Sequence, residues 1–368
     1  MENLLVTGGC GFIGTNFIRY LLEESDFSGR LINVDKLTYA GNPLNLLYIE
    51  DAFADRYFFE KADICDRKAI SRIIEKYEID SFCHFAAESH VDRSIVAPDA
   101  FIKTNIFGTF NLLELARSRM DRTTLFHHVS TDEVFGSLGM EGLFTEETPY
   151  NPSSPYSASK ASADHLVRAY SRTYGLPVTI SNCSNNYGPY QFPEKLIPLL
   201  ILNAMEGHSI PIYGDGRHVR DWLYVKDHCR AVWLIMKKGT TGGTYNVGGE
   251  SEIENIKVAE LICDTLDEIL KEGRGRNRRD LITFINDRPG HDRRYAIDPS
   301  KLKRELGWTP EESFESGIRN TIKWYLENPE WISRVKSGEY KTWMKKHYGP
   351  KSKTALAGPQ PGQRGNTE

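Results

Sequence analysis

Through its first half the chain alternates short apolar runs with amphipathic stretches. The runs Leu4–Thr7, Leu31–Val34, Tyr57–Phe59, Ser81–Phe85, Leu125–Val129 and Val178–Ser181 predict strands. The stretches Phe12–Glu24, Lys68–Tyr77, Phe101–Arg119 and Tyr156–Tyr174 predict helices between and after them. Strands alternating with helices point to α/β architecture, a doubly wound Rossmann-type parallel sheet. The later half is less regular. Tyr187 to Arg220 is rich in Pro, Gly and Tyr and reads as loops and short helices around a pocket. Trp222–Lys237 reads as a return to the first domain, and Gly239 to Asn246 as a turn and a strand. The expected division is 1–183 with 221–248 as a dinucleotide-binding domain, and 184–220 with 249–348 as a smaller, mixed C-terminal substrate-binding domain. Residues 349–368 have no apolar period and are expected to form a disordered, functionally silent tail.

Composition narrows the function classes. A length of 368 residues with 40% hydrophobic content supports one or two full cores. The net charge of -4, with signs mixed, gives no reason to expect a nucleic-acid or membrane partner. The longest apolar run, Leu196 to Ala204, is too short to cross a bilayer. No signal peptide is read at the start, where the apolar stretch from Leu4 runs into a glycine motif. The six cysteines contain no Cys-x-x-Cys and fit a reduced, cytoplasmic enzyme. The histidines show no ligand spacing, so no metal is expected.

The first strand leads into Thr7-Gly8-Gly9-Cys10-Gly11-Phe12-Ile13-Gly14. Glycines at 8, 11 and 14 permit a tight turn and a close backbone approach to a pyrophosphate at a helix N-terminus. Asp35 closes the second strand, where a carboxylate hydrogen-bonds an adenosine ribose and repels a 2′-phosphate, so NAD is expected over NADP; Lys36 beside it softens that preference. Asp63-Ile64 ends the third strand, where an adenine edge would lie; the alternative for Asp63 is a turn or helix-cap residue. Phe85-Ala86-Ala87 ends the fourth strand with small side chains that let a cofactor lie flat.

Tyr156 and Lys160 stand four apart on a predicted helix, placing a phenol and an ammonium on one face. A free tyrosine has a pKa near ~10, and a neighbouring lysine charge favours the phenolate. This pair suits removal of a hydroxyl proton while hydride leaves the same carbon. Thr131-Asp132-Glu133 adds a second acid/base set, which simple alcohol oxidation does not need. On a regular strand Asp132 and Glu133 would face opposite ways, so the strand must end near Thr131. The bland alternative for the acid pair is a solvated strand terminus.

Together with Asn185-Asn186-Tyr187-Gly188-Pro189, these motifs make the chain similar to the extended short-chain dehydrogenase/reductases of the NAD-dependent epimerase/dehydratase family. Within it the chain resembles the branch that dehydrates dTDP-glucose. Further support comes from Asp35-Lys36-Leu37-Thr38, Ala86-Ala87-Glu88-Ser89-His90, Pro193-Glu194-Lys195-Leu196 and Arg288-Pro289-Gly290-His291-Asp292. The resemblance spans roughly residues 3 to 348. It implies catalytic roles for Thr131, Asp132, Glu133, Tyr156 and Lys160. It implies cofactor contacts from Gly8, Gly11, Phe12, Ile13, Gly14, Asp35, Lys36, Leu37, Thr38, Asp63, Ile64, Phe85, Ala86, Ala87, Ser89, Thr104, Tyr156, Lys160 and Asn186. It implies nucleotide-sugar contacts from Ser89, Thr131, Asn185, Lys195, Leu196, Pro211, Ile212, Tyr213, Arg220, Asn255, Arg288 and His291.

Several of these also have a physical reading: Arg220 and Arg288 offer forks to a diphosphate, and Tyr213 could stack on a pyrimidine. Taken alone, an isolated arginine is usually a surface residue and a lone tyrosine usually core. The implied reaction makes a 4-keto-6-deoxy sugar and water, with hydride passing from C4 to NAD and back to C6. The resemblance further implies a homodimer built on helices like 101–119 and 156–174. The alternatives are a UDP-sugar 4-epimerase, a 4,6-dehydratase for another nucleotide sugar, or a non-catalytic NAD-binding module.

Overall fold

A computed structural model describes residues 1–270, 277–287 and 290–336. The predicted strands form β1 (Asn3–Thr7), β2 (Arg30–Asp35), β3 (Tyr57–Lys61), β4 (Ser81–His84), β5 (Leu125–Thr131) and β6 (Val178–Cys183). With the strand Thr244–Val247 they make a seven-stranded parallel sheet, in the order Thr244–Val247, β6, β5, β4, β1, β2, β3. Alternate side chains enter opposite cores, as a two-residue period requires. Leu4 and Val6 pack with Phe17, Ile18, Val232 and Trp233 on one face. Leu5 packs with Ile70, Ile74, Leu112 and Val167 on the other. The strand order reverses between β1 and β4, and a crevice at such a point is where doubly wound sheets bind ligands.

The second layer of structure is built around its own apolar cluster. Ile197, Leu200 and Ile201 of the helix Leu196–Glu206 pack on Ile210, Ile212, Val258, Ile262, Ile318 and Tyr325. The expected loops and short helices over Tyr187 to Arg220 thus contain an eleven-residue helix and the strand Ile210–Tyr213. The helix was hidden because Leu196–Ala204 is apolar all round and shows no amphipathic period.

The expected return at Trp222 is split. Val219–Tyr224 pairs with Asn185–Tyr187 and Glu252–Glu254 in a separate three-stranded sheet, and Trp222 lies in the second core. The following helix, Val225–Lys238, does pack under the large sheet through Val225, Cys229, Val232 and Trp233. The tail expectation for 349–368 lies outside the described residues.

The helix Pro155–Tyr174 carries Tyr156 and Lys160. It starts sharply because Ser154 and Ser157 form a reciprocal capping box, and Pro155 occupies the first turn. It stops at Gly175, whose φ of 72° suits a residue without Cβ. Its neighbour, predicted as one helix over Phe101–Arg119, is a composite in which Ile102–Gly108 is π-helical. That widened turn presents Asn105. Its Nδ2 donates to Ser159 Oγ (2.8 Å) and Glu88 O (3.0 Å), while its Oδ1 accepts from Glu88 N (2.8 Å). The segment after β4 is thereby fixed against the tyrosine helix.

Candidate active site

One cleft of about 300 Å³ runs along the carboxyl ends of the large sheet. Its glycine-rich end is a cradle for a pyrophosphate. A Cβ on Gly8 would come within 2.7 Å of the Ala86 backbone, and one on Gly14 within 2.3 Å of Gly8 O. The helix Phe12–Glu23 opens at Gly11 with no side-chain cap and no acid in its first turn, which leaves its N–H groups to an anion. Gly14→Ala, which adds one methyl against packed backbone, is expected to destabilise the protein by about 1–3 kcal/mol, measurable by denaturant titration.

The adenosine end fits NAD. Asp35 is held by two backbone donors, Cys10 N (2.9 Å) and Leu37 N (2.7 Å), and burial pushes its carboxyl up from the usual range. Lys36, a cation that could have welcomed a 2′-phosphate here, pairs with Asp63 at 2.7 Å. Asp63 also accepts from Cys65 N (2.9 Å), so the turn role weighed for it is fulfilled together with its place in the cleft wall. Ile64, Phe85, Ala86, Ala87, Ser89, Thr104 and Asn186 line the cleft with Phe12, Ile13 and Thr38. Leu37 does not: it sits at a φ of 58° and packs against the large core, giving the site its backbone N–H to Asp35.

At the other end the geometric difficulty of the acid pair is resolved. β5 remains extended through Thr131, then Asp132–Phe135 turns as a 3₁₀ segment, with Thr131 Oγ1 accepting from Glu133 N (3.3 Å). The turn closes at Gly136, whose φ is 87°. Thr131, Asp132, Glu133, Tyr156 and Lys160 consequently all line the cleft. Asp132 is fully buried. Desolvation and then the neighbouring Glu133 raise its carboxyl well above the ordinary value, with Arg220 partly opposing. Of the two adjacent carboxyls, Asp132 is thereby the one whose charge is disfavoured.

One expectation is corrected. Tyr156 is not lowered by Lys160: burial and then Glu133 raise its phenol well above the ordinary value, and the Thr131 hydroxyl, hydrogen-bonded to it, works the other way. The Lys160 ammonium is directed into the protein, donating to Val129 O (2.8 Å) and lying 3.4 Å from His128 Nε2. Behind it stands Asp164, a carboxylate one further turn along the same helix face and fully buried. Asp164 accepts from Ser130 Oγ (2.9 Å), Tyr150 Oη (2.8 Å) and Asn182 Nδ2 (3.3 Å), and approaches His128 at 3.2 Å. The spacing signals Asp164, but nothing in the sequence distinguishes it from a solvated helix face. Glu88, Ser130, Cys183, Ser184, Gln191, Phe192 and Glu194 also line the cleft and were not foreseen.

The expected nucleotide-sugar contacts divide. Ser89, Asn185 and Lys195 line the cleft with Thr131, and Lys195 Nζ donates to Ser89 O (2.7 Å). Leu196, Pro211, Ile212, Tyr213, Arg220, Asn255 and His291 do not line it. Leu196 and Ile212 belong to the second core. Arg220 is buried, donating to Val219 O (2.8 Å) and Asp292 O (2.9 Å) and stacking over Tyr295 at 4.3 Å. Tyr213 Oη reaches Asp92 (3.4 Å), and its ring meets His291 edge-on. Asn255 N donates to His218 O (2.9 Å). Arg288 lies outside the described residues. The absence of ligand spacing also missed a grouping of His218, Asp287 and His291. The two imidazoles stack at 3.7 Å and 15°, so their in-plane lone pairs run side by side.

Comparison with known proteins agrees with this geometry. Residues 5–321 match the family described as GDP-mannose 4,6 dehydratase. The chain is 55% identical over 361 residues to dTDP-glucose 4,6-dehydratase of Shigella flexneri, covering 94% of this chain and 98% of that one. Two solved dTDP-glucose 4,6-dehydratases superpose on it. The Bacillus anthracis enzyme in complex with NAD gives a TM-score of 0.81 at 45% identity, covering 91% of this chain and 100% of that one. The Streptomyces venezuelae enzyme, also with NAD bound, gives 0.83 at 43%, with the same coverage. At such identity over nearly the whole length, the chain belongs to the dTDP-glucose 4,6-dehydratase family.

Proposed function

We propose that the protein converts dTDP-glucose to dTDP-4-keto-6-deoxyglucose and water. The observation that carries this reading is the turn at Asp132–Phe135, which puts a buried acid and a second carboxyl group in one cleft with Tyr156 and Lys160. A 4-epimerase needs no such pair, because it expels no water.

The glycine cradle and Asp35 would hold NAD, which would supply the hydride acceptor for C4 and the hydride donor for C6. Tyr156 takes the C4 hydroxyl proton, and Thr131, hydrogen-bonded to that phenol, orients the same oxygen. Lys160, buried and one helical turn from Tyr156, would hold the nicotinamide ribose of the bound cofactor. The 4-ketone acidifies C5–H; Glu133 removes that proton and returns it to C5 once hydride has reached C6. Asp132, kept neutral by burial, protonates the leaving C6 hydroxyl. Ser89, Asn185 and Lys195 hold the sugar side of the nucleotide within the cleft. Tyr213, Arg220, Asn255 and His291 lie outside this cleft, and the family resemblance is what assigns them to the base and diphosphate.

The test is mass spectrometry of dTDP-glucose incubated with protein and NAD. Loss of one water with no net change in NAD redox state is expected. An isomer of unchanged mass would replace this reading with epimerisation, and turnover only of GDP-mannose would shift it to the substrate that describes the wider family.

The protein further acts as a homodimer in the cytoplasm. Ile102, Phe107 and Tyr174 are exposed at 49%, 51% and 44% along the two helices expected to pair. All six cysteines are unpaired, as a reducing compartment keeps them. No helix among the described residues is long and apolar enough to cross a membrane. Light scattering coupled to gel filtration would report a monomer if the dimer reading fails.

A further inference from the structure

The wall of the cleft contains a buried carboxylate that none of the chemical steps uses. Glu194 is only 6% exposed, and its carboxylate faces segments far apart in sequence. Tyr39 Oη donates to Oε1 (2.7 Å), and Arg93 Nε lies 3.3 Å from Oε2. His90 Nε2 stands 3.9 Å from the same oxygen. The Arg93 guanidinium also stacks on the Tyr39 ring at 3.6 Å, and that ring meets Phe192 edge-on at 5.6 Å.

The tied segments border the cleft on three sides. Tyr39 sits between Thr38 and Ala40, in the loop after β2 that carries Asp35. His90 and Arg93 follow Glu88 and Ser89, the segment after β4. Glu194 lies between Phe192 and Lys195, ahead of the helix Leu196–Glu206. The knot thus joins two loops of the cleft to the segment ahead of that helix. Such a tie has a purpose in a redox-neutral cycle, where the reduced cofactor must stay until it has returned its hydride.

We propose that Glu194 is a positioning residue that ties Tyr39 and Arg93 across the cleft and so keeps the dinucleotide resident between turnovers. The proposal rests on the redox-neutral dehydratase reading for its purpose, and its test needs no sugar. The Tyr39 hydrogen bond and the Arg93 ion pair meet on one buried carboxylate, and cutting a contact in a buried site leaves the partner unmatched.

The experiment measures NAD dissociation from the holoenzyme after rapid dilution, with the nucleotide retained by the protein quantified over time. Glu194→Gln keeps the shape and removes the charge; Tyr39→Phe removes only the donor. Both are expected to release NAD faster, Glu194→Gln by about tenfold or more, a loss of one decade in retention. Activity lost on dilution should return when NAD is added back, which would not happen for a Tyr156 variant. A Glu194→Gln dissociation rate within about twofold of the parent overturns the proposal. If that variant does not fold, by circular dichroism, Tyr39→Phe alone decides, and an unchanged rate for it is equally fatal. Faster NAD release together with an epimerised product would leave the clamp standing and remove only the dehydratase reading.

Discussion

Tyr156→Phe abolishes nearly all turnover while leaving the fold and bound NAD in place. The substitution deletes one hydroxyl from a buried ring that keeps its edge-on contact with Phe101 at 6.3 Å. The glycine cradle and Asp35, at the other end of the cleft, are not touched by the change. The loss falls on proton transfer, where a positioned base contributes about 10²–10⁴-fold. Single-turnover assays of hydride transfer from C4 should therefore fall by that factor, with the Kd for sugar nucleotide within about threefold of the parent. A non-catalytic NAD-binding module would show no functional change. Because burial and Glu133 raise the phenol, the parent should lose its first step as pH falls, the proton then staying on Tyr156.

The second large effect separates the two acids. Glu133→Gln should stop removal of the C5 proton, so incubation in D₂O puts no deuterium at that carbon. Asp132→Asn should still permit exchange at C5 but fail to expel the C6 hydroxyl, since an amide cannot deliver the proton. Each loses about 10²–10⁴ in overall dehydration. The pH sign follows from the direction of the shift: Asp132 is raised, so it keeps its proton to higher pH than an ordinary carboxyl, and competence disappears as pH climbs through its elevated pKa. The parent thus has a limb in the dehydration step that falls as pH rises.

The same shift has a stability consequence. A carboxyl raised above its unfolded value costs nothing below about pH 4 and increasingly destabilises the fold as pH rises from there to its folded pKa. Asp132→Asn should therefore melt higher than the parent at pH 8, while the difference closes toward pH 4. Equal melting temperatures at pH 8, or exchange patterns that swap the two residues, would reverse the assignment.

Much of the fold was legible because the large sheet obeys local rules. Each strand run is short, apolar and bounded by a helix with its own period, and the boundaries shift by only a residue or two in β1, β2 and the tyrosine helix. The fold was least legible where pattern and packing part company. Leu196–Glu206 is apolar on every side because it is sunk in the second core, so no period marks it. The π-helical turn at Ile102–Gly108 leaves no compositional mark, although it sets Asn105 between Glu88 and Ser159.

The sequence by itself determined the chemistry on offer: a glycine cradle at a helix start, an acid at the end of β2, a phenol and an ammonium one helical turn apart, and two acids in a row. These are short-range facts, fixed by spacing and backbone period. Only the tertiary structure decided their electrical state and company. Burial made Asp132 an acid and Tyr156 a reluctant one; Lys36 was neutralised by Asp63. Glu194, unremarked beside Lys195, became the carboxylate joining Tyr39 to Arg93. Desolvation and long-range pairing depend on which segments meet, and segments separated by a hundred residues meet only through the packing of the whole chain.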